Sequence, residues 1–219
     1  MRKTIFALAT VAMLAVPSLA EAQLGVAGRV GTLGLGAEAA LDLGDALVIR
    51  GGIGLMPLEP SANISDIDVT LKLPKTWYNI GLDLYLGGSF RVGAGMLFKS
   101  DDPSLTGDFT GNVDIGGQDF TAAQLGTLTG TLDSKDSAPY ALIGFGKHTT
   151  QGIGLFLDLG LAFTGEPVVT LDANGGTYSD QAELRRRLDL EETNLENDLG
   201  TYLKYWPIFN LGIKIGLGN

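Results

Sequence analysis

Five stretches of this chain alternate with a period of two. Phe209, Leu211, Ile213, Ile215 and Leu217 alternate with Asn210, Gly212, Lys214 and Gly216. Ile153, Leu155, Leu157, Leu159, Leu161 and Phe163 alternate with Gly154, Phe156, Asp158, Gly160 and Ala162. The same rhythm runs through 35–43, 79–86 and 90–99. Successive side chains of a strand face opposite sides, so each stretch has one apolar face and one small or charged face. A soluble sheet would turn a charge-rich and Thr-rich face to water. Here the second face is mostly Gly and Ala, with one or two charges per strand. Gly is 32 of 219 residues, and charged residues are 18%, against about 7% and about 25% in ordinary globular chains. Small residues suit the crowded interior of a narrow barrel. The stretches are also about ten residues long, which is what a tilted membrane-crossing strand requires.

Arg2 and Lys3 precede an apolar run from Thr4 to about Val16, and Ala20-Glu21-Ala22 fits a small-x-small cleavage pattern. Residues 1–22 therefore read as a secretory signal peptide, with the mature domain at 23–219. Beyond it no run of 18 apolar residues exists, so a closed barrel is the membrane option left. The expected fold is all-β: an eight-stranded antiparallel transmembrane β-barrel with long outer loops and one helix in the last loop. The expected location is the outer membrane of a Gram-negative bacterium. The absence of Cys excludes disulfides, thiolate chemistry and Cys-ligated metals. The acidic balance, pI ≈ 4.4, argues against nucleic acid as a partner.

Strands are expected near 24–31, 35–43, 46–57, 68–86, 89–100, 126–147, 153–164 and 203–217. Eight is even and puts both termini on one side, with short turns there and long loops opposite. A ten-stranded count, using a hairpin of 109–115 and 120–131 in the wall, stays open beside it. The exception to the β pattern is 180–199. Leu184, Leu188, Leu195 and Leu199 follow one helical stripe, with Ser179 as N-cap, Gly200 beyond the end, and Arg187–Glu191 as an i,i+4 pair. A structural cap on the barrel rim and a movable lid are both open readings of this helix.

Alternation aims Arg29, Glu38, Asp42, Arg50, Asp83, Arg91, Lys99, Asp158 and Lys214 inward, together with Asn79, Tyr85, Tyr140 and Asn210. An eight-stranded barrel is just wide enough for side chains to fill it. Four acids against five bases in that space should pair, because a lone buried charge is costly. Either the pairs plug the barrel, or they line a narrow polar path that opens transiently. The segment 100–134 carries Asp101, Asp102, Asp108, Asp114, Asp119 and Asp133 and no Lys or Arg. As a rim it would favour cations; as a solvated loop it would do nothing specific. Trp77, Tyr78, Tyr85, Phe90, Tyr202, Tyr205 and Trp206 are candidates for interface girdles, Tyr85 also for interior packing.

The blocks Ser137-Ala138-Pro139-Tyr140 through Gly165-Glu166-Pro167-Val168-Val169-Thr170-Leu171 carry a family resemblance. Val30-Gly31-Thr32-Leu33-Gly34, Gln118-Asp119-Phe120, the Glu-rich helix and Tyr205-Trp206-Pro207 extend it in order over nearly the whole mature chain. The sequence resembles the proteobacterial outer-membrane proteins related to the ornithine-uptake, carbapenem-susceptibility porin of Acinetobacter type. The resemblance implies a small eight-stranded barrel and passage of small basic or zwitterionic solutes. This chain departs from outer-membrane barrels generally in ending Gly218-Asn219 rather than on an aromatic residue.

The function expected is that of a porin-like outer-membrane barrel giving passive or gated passage to small solutes. A non-conducting structural or adhesive barrel is the alternative, and a soluble periplasmic barrel with an apolar ligand a third. The partners expected are outer-membrane lipid, the barrel assembly machinery and small solutes. No catalytic residue, metal or cofactor is expected. His148, the single histidine, falls in a tight turn without a Ser or Asp partner. Gly34-Leu35-Gly36-Ala37-Glu38-Ala39 imitates a dinucleotide loop but lies in a strand and opens no helix.

Overall fold

A computed structural model describes residues 23–44, 46–64 and 67–217. The expected signal peptide lies outside the described residues. Eight strands close a barrel: β1 (Leu24–Gly31), β2 (Leu35–Asp42), β3 (Leu47–Leu55), β6 (Thr76–Gly87), β7 (Phe90–Lys99), β12 (Ser137–Phe145), β13 (Gly152–Phe163) and β15 (Tyr205–Gly216). The wall order is β1-β15-β13-β12-β7-β6-β3-β2. All eight pairings are antiparallel, and β1 closes on β15 through Gly25↔Gly216 to Gly31↔Asn210. The start of β1 and the end of β15 share one end of the barrel, the termini end, with the short connections after β2, β6 and β12.

Period two decides which way each side chain faces. On β15, residues Ile208, Asn210, Gly212, Lys214 and Gly216 are buried, while Phe209, Leu211, Ile213 and Ile215 are exposed. On β6, Trp77, Asn79, Gly81 and Asp83 are buried while Ile80, Leu82 and Leu84 are exposed. The aliphatic side chains therefore face out and the charged ones in. A water-soluble barrel has the opposite polarity, and soluble surfaces rarely carry so continuous an apolar patch.

Inward glycines make the room that the larger side chains take. A Cβ on Gly144 would sit 2.5 Å from Arg91 Cζ, and one on Gly81 would strike the Tyr140 hydroxyl. One on Gly31 would stand 2.5 Å from Asn210 Oδ1. Much of the Gly excess is thus the complement of the lumen's Arg, Tyr and Asn.

At the other end, the loop end, the wall continues as a second sheet. It is built from β4 (Ser61–Ile64), β5 (Ile67–Lys72), β8 (Ser104–Phe109), β11 (Gly126–Asp133) and β14 (Val168–Gly175). Its order, β14-β11-β8-β5-β4, repeats the barrel order β13-β12-β7-β6-β3. The two strands expected at 68–86 and 126–147 are each divided here. Leu73-Pro74-Lys75 separates β5 from β6, and Ser134-Lys135-Asp136 separates β11 from β12. The alternation lapses at both breaks, shifting from odd apolar positions (Val69, Leu71, Leu73) to even ones (Ile80, Leu82, Leu84) at the first and giving way to polar residues at the second, but it does not show which partner each half takes. A separate hairpin pairs β9 (Asn112–Ile115) with β10 (Gln118–Thr121). The barrel closes with eight strands, so the ten-stranded count is not realised, and β11 joins the outer sheet rather than the hairpin.

After a short helix α1 (Ala122–Leu125), the main helix α2 spans Ala182–Leu203. Three expectations about its ends are corrected. Gln181, not Ser179, is the N-cap, without a side-chain cap bond; the Ser179 hydroxyl instead donates to Gly176 O at 2.8 Å. Gly200 lies within the helix, which runs up to Lys204 because β15 begins at the next residue. Arg187 pairs with Glu183 at 3.0 Å rather than with Glu191. Arg187 also donates to Gly116 O at 2.9 Å, and Glu191 accepts from Gly116 N at 3.3 Å, so both tie the β9–β10 turn to the helix.

The helix caps the outer sheet, not the barrel rim. Leu184 and Leu188 pack with Ile115, Phe120, Leu125 and Leu171 in a second core. Its polar side closes the free edge of β14. Glu192 Oε1 accepts from Leu171 N at 2.7 Å and Glu196 Oε1 from Val169 N at 2.9 Å, while Arg185 donates to Leu171 O at 2.7 Å. These side chains stand in for a neighbouring strand and blunt an edge that would otherwise invite association. Leu184 is fully buried, so Leu184→Ala should destabilise this module by about 2–5 kcal/mol. Limited proteolysis should then cut α2 while the folded gel mobility of the barrel persists; equal protection with and without the substitution would refute this packing.

Candidate functional site in the barrel lumen

Six inward charges meet midway along the barrel. Arg50 (β3), Asp83 (β6), Arg91 (β7) and Asp158 (β13) form a closed ring of alternating sign. Arg50 Nε lies 3.2 Å from Asp83 Oδ2 and Arg50 Nη1 2.5 Å from Asp158 Oδ2. Arg91 Nε donates to Asp83 Oδ2 at 2.9 Å, and Arg91 Nη2 reaches Asp158 Oδ1. Glu38 (β2) joins this ring through Arg50 Nη1 at 3.1 Å and holds Arg29 (β1) at 2.6 Å. Three guanidinium groups thus face three carboxylates, all essentially buried. Such a cluster is tolerable in a low dielectric only because it is balanced and multiply bonded. The strand register makes it possible: Gly144 stands opposite both Arg91 and Asp158, and Gly81 opposite Arg50.

Toward the loop end the lumen turns apolar. Leu33, Trp77, Leu97, Ala138, Leu142 and Ile208 fill it, with the Trp77 and Trp206 rings 4.8 Å apart. Trp77 and Trp206 are therefore interior plug residues, not girdle residues as expected, whereas Tyr78 and Tyr205 are exposed on the outer wall. Between ring and plug, the cavity bordered by Arg29, Asn79, Tyr140 and Asn210 measures about 10 Å³. One water molecule needs roughly 10–15 Å³, so this cavity has room for about one.

The remaining three lumen charges lie at the two ends. Lys99 reaches Asp102 where β7 leaves the barrel. Asp42 accepts from Thr149 Oγ1 at 3.3 Å at the termini end. Lys214, also at that end, donates to the carbonyls of Thr150 and Gly152 rather than to an acid. The structure thus brings six of the nine together and leaves Lys99, Asp42 and Lys214 bonded locally at the two ends.

The acidic residues of 100–134 fall into three places. Asp101 accepts from Lys75 N at 3.0 Å, and Asp102 binds Lys99 and Ser134 N, both at the barrel rim. Asp108 accepts from Thr127 Oγ1 at 2.6 Å within the outer sheet. Asp114 accepts from Gly117 N at 3.1 Å in the hairpin, where it stands opposite Asp119. Asp101 and Asp102 stand at the barrel rim, and Asp133 ends β11 next to Ser134, whose N–H bonds Asp102 there.

His148 is the residue that sequence reasoning passed over. Its turn folds into the barrel, so the ring is buried against Phe156, with centroids 4.5 Å apart. His148 Nδ1 lies 3.4 Å from the Tyr85 hydroxyl, and Nε2 3.7 Å from Glu38, beyond hydrogen-bond reach. Burial pushes the imidazole pKa below its ordinary value against the opposing pull of Glu38. The signal that could have found it is the glycine frame: inward Gly25 and Gly216, and Gly146 and Gly152 around the turn.

No protein-family model matches this chain, and no curated protein matches it in sequence. Among the solved structures that share its fold are two from Acinetobacter baumannii. Acinetobacter baumannii CarO is 22% identical, with a TM-score of 0.63, over 87% of this chain and 96% of that one. Acinetobacter baumannii CarO2 is 21% identical, with a TM-score of 0.65, over 89% and 98%. The eight-stranded antiparallel barrel is thus a fold shared over nearly the full length of both, as the short sequence blocks implied.

Proposed function

We propose that this chain is an integral outer-membrane β-barrel, porin-like in architecture, whose lumen is shut at rest and admits small solutes only on opening. One observation carries the reading: the wall is aliphatic outside and ion-paired inside. Leu155, Leu211 and Ile213 border an outer groove of about 650 Å³, suited to acyl chains. Lipid of the outer membrane is accordingly the first partner, and the barrel assembly machinery the second. Basic or zwitterionic amino acids are the solute class that the family resemblance suggests, and Asp101 and Asp102 at the loop-end rim suit a cationic group.

The cavity of about 10 Å³ at the ring favours a second reading, a non-conducting structural barrel. Liposomes carrying the full chain, swollen in ornithine, glycine and a neutral sugar, separate the two. Swelling faster in ornithine than in the sugar supports the porin-like reading. Rates equal to empty liposomes with all three solutes select the structural one. Unchanged gel mobility on heating would remove the barrel reading altogether.

A further inference from the structure

The 146–151 connection differs from an ordinary strand turn. It bends into the termini end of the barrel, leaving His148 and Thr149 buried between exposed Lys147 and Thr150. Its seat is a recess in the closing seam. Gly25 and Gly216 are partners across β1 and β15; a Cβ on Gly25 would strike His148 O, and one on Gly216 would strike Thr150 O.

Side chains from the wall hold the turn in that seat. The Tyr85 hydroxyl accepts from His148 N at 3.1 Å, and Arg91 Nη1 donates to Gly146 O at 2.8 Å. Asp42 accepts from Thr149, and Lys214 holds the carbonyls of Thr150 and Gly152. These are hooks from separate strands, not a continuous ladder, and each can be released without unpairing the wall. The segment is bracketed by Gly146 at φ +100° and Gly152 at φ +89°, conformations that glycine adopts at little cost. Beside the turn lies a polar vestibule of about 300 Å³ bordered by Gln23, Asp42, Tyr85, Lys147 and Thr149. On its other side His148 faces Glu38 of the charged cluster. The opposite plug is different: Trp77, Leu97, Ala138, Leu142 and Ile208 are carried on wall strands and move only with them.

We infer that residues 147–151 form a hinged lid, swinging on Gly146 and Gly152, that opens the charged ring to solute from the termini end. The lid rests on the porin-like reading for its purpose, but its test needs no conduction. The chain has no Cys, so Thr149→Cys supplies a single thiol in the lid, and Ala138→Cys a buried control on a wall strand. Each full-length variant is folded in liposomes, confirmed by heat-modifiable mobility, and exposed to a charged maleimide.

The lid requires Thr149→Cys to react at least about tenfold faster than Ala138→Cys, since local opening outpaces wall opening. Tyr85→Phe, which removes the hydroxyl receiving His148 N–H, should raise that rate severalfold. Equal rates at the two thiols overturn the lid, and an unchanged rate in Tyr85→Phe overturns the latch assigned to Tyr85. Should Thr149→Cys not fold, amide exchange in the unsubstituted chain decides. Exchange at His148 faster than at Leu142 supports the lid, and equal protection overturns it. The swelling assay remains separate, so a failed lid and a failed porin-like reading give different results.

Discussion

Arg91→Ala should destabilise the barrel by about 3–5 kcal/mol, the usual cost of leaving a buried charge without its partner. Arg91 is completely buried and bonds Asp83, Asp158 and the Gly146 carbonyl. Its removal leaves Asp158 with Arg50 alone and breaks the ring on one side. It also removes the bulk that Gly144 accommodates, so space appears beside two carboxylates. Two readouts follow: a lower temperature for the heat-induced gel shift, and a higher conductance in planar bilayers. Arg186→Ala is the matched control. Arg186 bonds Glu183 on the exposed face of α2, where a surface pair is worth roughly 0–1 kcal/mol. If Arg91→Ala shifts stability no more than Arg186→Ala and leaves conductance unchanged, the ring is not what holds the lumen.

The second large effect is steric. Gly160→Val should cost about 2–3 kcal/mol or more and lower the yield of closed barrel. The Cβ alone would strike Ala141 O and come within 2.6 Å of Leu142 Cβ. Those atoms belong to the neighbouring strand β12, so relief requires the wall to shift. Gly95 is equally confined, by the backbone of Ile80 and Gly81. Gly111→Val is the comparison, because a Cβ there meets nothing within 4 Å. The measurement is the fraction of chain reaching the fast-migrating folded band after refolding in detergent. A normal fraction for Gly160→Val would mean that the wall yields where its register says it cannot.

These two effects show how unevenly the lumen could be read in advance. Arg91 and Asp158 were legible as inward charges because they lie on even steps of clear alternation. That Arg50 bridges Glu38, Asp83 and Asp158 was not, since the four residues sit on four strands. Lys214 shows the limit of a charge count: it lies inward as expected, yet its partners are backbone carbonyls of a turn. Trp77 and Trp206 were read by residue type as girdle aromatics, whereas their parity, shared with Asn79 and Asn210, already aimed them inward. His148 carried no periodic signal at all, because a turn has none.

The chain by itself determined which face of each strand points out of the barrel and which into the lumen. It also determined that the lumen must hold both charges and glycines, and that one helix lies in the last long connection. All of these follow from periods of two and 3.6, which are properties of a few consecutive residues. Only the tertiary structure decided which partners β5 and β6, and β11 and β12, take, which carboxylate meets which guanidinium, and that the 146–151 turn folds inward. Those outcomes depend on strand stagger and closure around the whole barrel, where residues 67 and 108 positions apart come into contact. Local alternation is the same for every stagger that preserves parity, and so it cannot choose among them.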